Sequence, residues 1–163
     1  MVRTDKYTTE SIMKLLSEIP DPEIPVITIK ELGMLQNVRE ENGKYIITIT
    51  PTYTACPAMK MLEQQILETC ALHGIKDVRV ELTYTPAWTT DWISKEAREK
   101  LKNYGIAPPQ KKACSAVFSA DTVQCPRCGS RHTEIISRFG STACKALYKC
   151  TDCHEPFEYF KCH

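Results

Sequence analysis

Two Cys-x-x-Cys pairs, Cys125-Pro-Arg-Cys128 and Cys150-Thr-Asp-Cys153, constrain this chain more than any other feature, with 21 residues separating Cys128 from Cys150. Each pair turns tightly enough to aim both thiolates and several backbone amides at one point. Two such turns can enclose a cation tetrahedrally, as structural zinc requires. The spacing is one residue beyond the usual two-pair window. A disulfide pair or a redox-active Cys-x-x-Cys are the rival readings, and each leaves one pair unexplained. About 40 residues bury too little apolar surface to fold alone, so metal binding would supply most of this segment's folding free energy.

The chain of 163 residues has room for a domain of about 100 residues and a small satellite. The expected fold class is α+β: an α-β-β-α-β-α domain over residues 1–108, a linker over 109–121, and an all-β zinc ribbon over 122–163. No apolar run approaches the roughly 20 residues needed to span a bilayer. The start of the chain is polar and lacks a secretory signal core, which points to the cytoplasm. There the nine cysteines should stay reduced and serve metal ligation or thiol chemistry. Residues 1–108 carry net charge −2 and residues 122–163 carry +2. Neither half has the concentrated basic face of a nucleic-acid-binding module, so neither nucleic acid nor membrane is an expected partner.

Ile12, Leu15, Leu16 and Ile19 share one face of a first helix, with Thr8 or Thr9 as N-cap and Pro20 and Pro22 ending it. Asp21-Pro-Glu-Ile-Pro-Val26 is then a stiff loop with two carboxylates, Asp21 and Glu23. It reads either as a turn in which Asp21 binds nearby amides or as the polar wall of a site. Strands at 34–40 and 44–51 flank Asn42-Gly43, a hairpin signal. Met59, Leu62, Ile66, Cys70 and His73 mark one face of a second helix that Gly74 can end.

Cys56 therefore stands at a helix N-terminus, with Pro57 in the first helical position. Aligned amides there stabilise a thiolate and lower the thiol pKa. Cys70 reads as core and His73 as structural. A third strand is expected at 76–85. Trp88 and Trp92 follow, in a loop where they either cap the core or form a docking surface. A last helix from Ser94 ends at Gly105. Cys114 sits in the linker. Phe157, Tyr159 and Phe160 are expected to form the ribbon's small core rather than a stacking platform for bases.

Four stretches resemble the PaaD family of accessory proteins, encoded with the phenylacetyl-CoA epoxidase of bacterial phenylacetate degradation: Asp21 to Val26, Thr52-Tyr-Thr-Ala-Cys-Pro57, Pro86-Ala-Trp-Thr-Thr-Asp-Trp92 and Phe139-Gly-Ser-Thr-Ala-Cys-Lys-Ala-Leu-Tyr148. Residues 9 to about 106 also resemble the iron–sulfur-assembly family that includes SufT. The resemblance implies a non-enzymatic factor that matures the epoxidase, with its iron–sulfur reductase and di-iron oxygenase as clients and the iron–sulfur assembly machinery as a further partner. It further implies Cys56 as the residue implicated in function, with Asp21 and Glu23 lining the same region. A thiolate at a helix N-terminus is a candidate transient ligand for iron or a cluster, while the spacing of Cys125, Cys128, Cys150 and Cys153 points to one structural zinc per chain. Cys114, Cys144 and Cys162 remain unassigned thiols. A lone cysteine cannot complete a cluster of about four ligands, so Cys114, a second copy in a homodimer, a small thiol or the client must add to it. The alternative is a rubredoxin-like electron-transfer subunit with iron on the ribbon cysteines; a thiol oxidoreductase is a third reading.

Overall fold

In the computed structural model, residues 7–109 and 123–162 are described, and contacts divide the chain into two units at Trp88/Thr89. In the first, α1 (Thr9–Leu16) starts where the Thr8 hydroxyl accepts the Ser11 amide, and it buries Ile12 and Leu16 completely. The chain then folds through 19–34 as an ordered loop whose apolar residues Ile24, Ile27, Ile29, Leu32 and Met34 all join the core. β1 (Leu35–Glu41) and β2 (Lys44–Ile49) form the expected hairpin, with Asn42 and Gly43 both at positive φ, as a two-residue turn of this hand demands. α2 (Ala58–Leu72) crosses over to β3 (Val78–Leu82), which lies parallel to β2 in the order β1-β2-β3.

One face of this sheet is apolar: Ile47 and Ile49 are fully buried, α1 packs on β1, and α2, with Leu62 and Ile66 fully buried, packs on β3. Ile46 is buried as well, so β2 does not alternate strictly. On β1 the Arg39 guanidinium donates to Glu41, Thr48 and Glu81, forming a charged ladder across all three strands. Trp88 is 6% exposed and its indole N–H donates to the Leu32 carbonyl at 2.9 Å, so this ring caps the core.

The second unit begins earlier than the expected boundary at 108. It opens with a 3-10 turn at Thr90–Trp92 and α3 (Lys95–Tyr104), capped by the Ser94 hydroxyl and ended by Gly105 at φ 96°. β4 (Ile106–Ala107) pairs in parallel with β7 (Pro156–Phe160), and β6 (Lys145–Cys150) and β5 (Thr133–Ser137) complete a sheet of order β4-β7-β6-β5. The ribbon is thus not self-contained. Its core of Val123, Cys125, Cys150 and Phe157 takes in Ala107, and Tyr148 stacks on Phe157 at 5.9 Å while meeting Tyr159 edge-on. Of the expected linker, 110–121 lies outside the described residues, Cys114 with it. Among the described residues no helix is long and apolar enough to cross a membrane.

A four-cysteine centre and a cysteine beside two carboxylates

The sulfurs of Cys125, Cys128, Cys150 and Cys153 all lie within 4.8 Å of one another. Each knuckle is built by its own backbone. Cys125 N–H donates to the Ser130 carbonyl at 2.8 Å and Cys150 N–H to the Glu155 carbonyl at 3.0 Å, closing two equivalent turns. The residue after each second cysteine takes a left-handed conformation: Gly129 at φ 78° and, in the second knuckle, His154 at φ 63°.

Amides inside these turns point at sulfur. Cys150 accepts first from the Cys153 amide and also from that of Asp152, which against the effect of burial draws its thiol down to about 7. At Cys153 the Glu155 amide pulls the same way, but burial and the crowding of Cys128, Cys150 and Cys125 push its thiol up to about 12. Four thiols this close cannot all ionise together, and a dication removes the obstacle. The donor set fits zinc. A tetrahedral site with Zn–S of about 2.3 Å has sulfur–sulfur edges of about 3.8 Å, against 3.8 Å for Cys125–Cys153 and 3.6 Å for Cys128–Cys150. Cys125 and Cys150 are buried while Cys128 is exposed, so the centre has an inner and an outer side.

In the other unit, Cys56 lies one residue before Pro57, whose φ of −70° and ψ of −19° are already helical, at the entrance to α2. Its thiol is half-buried. The Ala58 amide and a hydrogen bond from Tyr53 favour the thiolate, as expected of a helix start. Burial is larger, however, and Glu23 and then Asp21 add Coulombic repulsion, so the pKa is raised. The expectation of a lowered value is therefore corrected: a helix N-terminus inside a part-buried, acidic surround does not hold a standing thiolate.

Asp21 is 5% exposed and its Oδ1 accepts the amides of Glu23 at 2.9 Å and Ile24 at 2.7 Å. It is both the turn-former and a charge near Cys56, so the two readings of this loop are compatible. Tyr53 is a site residue that sequence reasoning misses. Its only signal is its place in the turn before the helix, where the Cys56 amide donates back to the Tyr53 carbonyl at 3.2 Å.

The other cysteines are mostly structural. Cys70 is core, its thiol pushed up to about 11 by burial. Cys144 is buried, with the Thr142 hydroxyl 3.0 Å from its sulfur. Cys162 is disulfide-bonded, which corrects its reading as a free thiol and the expectation that all nine cysteines stay reduced: a sulfur already bonded to sulfur offers no thiolate. The Phe139–Lys145 loop wraps a carboxylate: Lys145, 3% exposed, meets Glu158 at 2.9 Å, and the Ser141 amide donates to the same side chain. The loop passes so close that a Cβ on Gly140 would fall 2.6 Å from Glu158 Oε1. His73, exposed, places Nδ1 2.9 Å from the Thr69 carbonyl one turn back.

A small α+β domain with a cysteine at a helix entrance, followed by a four-cysteine β-ribbon, is the architecture of an iron–sulfur-assembly-type protein with an appended metal module. Residues 9–82 match the family model described as iron-sulfur cluster assembly protein, and residues 109–161 match that of the PaaD zinc beta ribbon domain. The chain belongs to the PaaD family: it is 54% identical over 151 residues to a protein of Escherichia coli (strain K12) named as a subunit of 1,2-phenylacetyl-CoA epoxidase, covering 93% of this chain and 91% of that one. It is also 35% identical over 97 residues to a protein named Fe-S protein maturation auxiliary factor from Porphyromonas gingivalis (strain ATCC BAA-308 / W83), covering 58% of this chain and 90% of that one. A crystal structure of a domain of unknown function, DUF59, from Bacillus anthracis superposes with a TM-score of 0.52 at 23% identity, covering 57% of this chain and 90% of that one, and shares the fold.

Proposed function

We propose that this protein is an accessory maturation factor of a multicomponent phenylacetyl-CoA epoxidase, a cytoplasmic binding module and not a catalyst, that assists assembly of the iron–sulfur or di-iron centre of the reductase or oxygenase component. One observation carries the reading: Cys56 sits half-buried at the entrance to α2 beside Glu23 and Asp21, and burial and these carboxylates raise its thiol pKa. Those carboxylates oppose a bare thiolate and favour a thiolate that has gained a cation, so soft iron would displace the thiol proton and find negative charge beside it. A site that binds its cargo through one cysteine binds weakly enough to release it, and the client or a second copy would complete the ligand set. The names of the relatives, one an epoxidase component and one an Fe-S protein maturation auxiliary factor, support this direction.

The ribbon cysteines Cys125, Cys128, Cys150 and Cys153 would hold one zinc per chain, which closes the knuckles and leaves no open coordination position. The module then serves as scaffold and docking element. Affinity capture of the tagged chain from cells producing the epoxidase components tests the assignment. Retention of the reductase or an oxygenase component is the expected result; retention of neither, with all components soluble, would overturn it.

A further inference from the structure

Segments flanking the two knuckles are joined to each other by side chains that are not ligands. Ser130, two residues after Cys128, donates from Oγ to Asp152 Oδ2 at 2.5 Å. His132 places Nδ1 3.1 Å from Asp152 Oδ2 and 3.2 Å from Oδ1, which puts the ring hydrogen on that nitrogen. The His132 amide donates to the Ser130 hydroxyl at 3.0 Å, tying the first segment to itself. From the other side, Thr151 donates its amide at 2.9 Å and its hydroxyl at 3.0 Å to the His132 carbonyl.

These contacts couple directly to sulfur. The Ser130 amide hydrogen-bonds the Cys128 sulfur, and the amide of Asp152, which sits between Cys150 and Cys153, hydrogen-bonds the Cys150 sulfur. Cys128 is the exposed ligand, so an ion would leave on the side where residues 128–130 part from 150–152. That parting has to break the Ser130–Asp152 and His132–Asp152 contacts together with the two Thr151–His132 bonds.

We propose that Ser130, His132 and Asp152 form a latch across the two knuckles that sets how fast the bound metal ion escapes, with Asp152 as its positioning residue. The inference rests on the four sulfurs holding a metal. It assigns the latch a kinetic role distinct from ligation: with Asp152 removed, the same four thiolates still bind, but the knuckles separate more often. His132 and Asp152 are exposed and Ser130 is half-buried, and none of the three belongs to the core of Val123, Cys125, Cys150 and Phe157.

The test is zinc release from the zinc-loaded full chain into excess EDTA, followed by a chromogenic zinc indicator. D152A and S130A should each release zinc about tenfold faster than the parent, the low end of what outer-shell partners contribute, and the double variant no faster than D152A. D152N, which keeps an oxygen facing Ser130, should stay near the parental rate, and E134Q, which removes a charge elsewhere in the ribbon, should match it. Cobalt-substituted D152A should show the parent's thiolate-to-metal charge-transfer bands, since the ligands are untouched. Parental release rates in both D152A and S130A would overturn the latch, as would equal acceleration by E134Q. A parent chain that holds no zinc would instead remove the metal reading on which the latch depends.

Discussion

At Cys56 four influences act on one sulfur: burial, the Ala58 amide at the start of α2, two neighbouring carboxylates, and a hydrogen bond from Tyr53. The amide could be read from the sequence, because Cys-Pro before an apolar-faced helix places the thiol at an N-terminus. Burial and the Tyr53 contact could not, because they belong to the tertiary fold, and the approach of Asp21 and Glu23 followed from the family resemblance rather than from the residues. Glu23→Gln removes the larger Coulombic contribution and leaves the Asp21 turn in place, so the thiol should ionise at lower pH. Iodoacetamide labelling of Cys56, followed by mass spectrometry over roughly pH 7 to 10, should shift its midpoint downward in E23Q. An unchanged or raised midpoint would mean that the carboxylates do not govern this thiol.

Among the elements, those with strong periodicity or turn chemistry were legible: α1 from its apolar face and Thr8, the β1–β2 hairpin from Asn42-Gly43, α3 from Ser94 and Gly105. β4 was not, since two residues carry no period and their pairing with β7 is long-range. Nor was the Lys145–Glu158 pair, because a lysine in a ribbon strand reads as solvent-facing. Burial opposes the Glu158 charge, yet the Ser141 amide and Lys145 outweigh it and hold the carboxyl below the ordinary glutamate value. The native state therefore binds fewer protons here than the unfolded chain, and stability rises with pH through this range. The pair's contribution is full above the ordinary glutamate value and is lost as pH falls through the lower folded value. Urea midpoints of the parent and of Glu158→Gln should differ most above about pH 4.5 and converge below it. A gap that does not change with pH would exclude the pair as its source.

For the molecule as a whole, the division into an assembly-type domain and a metal ribbon was legible because cysteine spacing and apolar periodicity occupy separate stretches of chain. The boundary was not. Pro108-Pro109 reads as a linker, whereas α3 and β4 group with the ribbon in the unit that starts at Thr89. The two units divide the chemistry, with four sulfurs close enough to share one ion in one and a single cysteine among acidic groups in the other. Under the proposed function the first holds a resident metal and the second a transient one, and the transient one defines the role. Its most direct test is the iron and acid-labile sulfide content of the epoxidase reductase and oxygenase, each purified from cells co-producing either the parent chain or Cys56→Ser at equal soluble levels. The account predicts that at least one client loses a large part of its iron when Cys56 is replaced, while the ribbon's zinc is retained; full iron in both clients would contradict it.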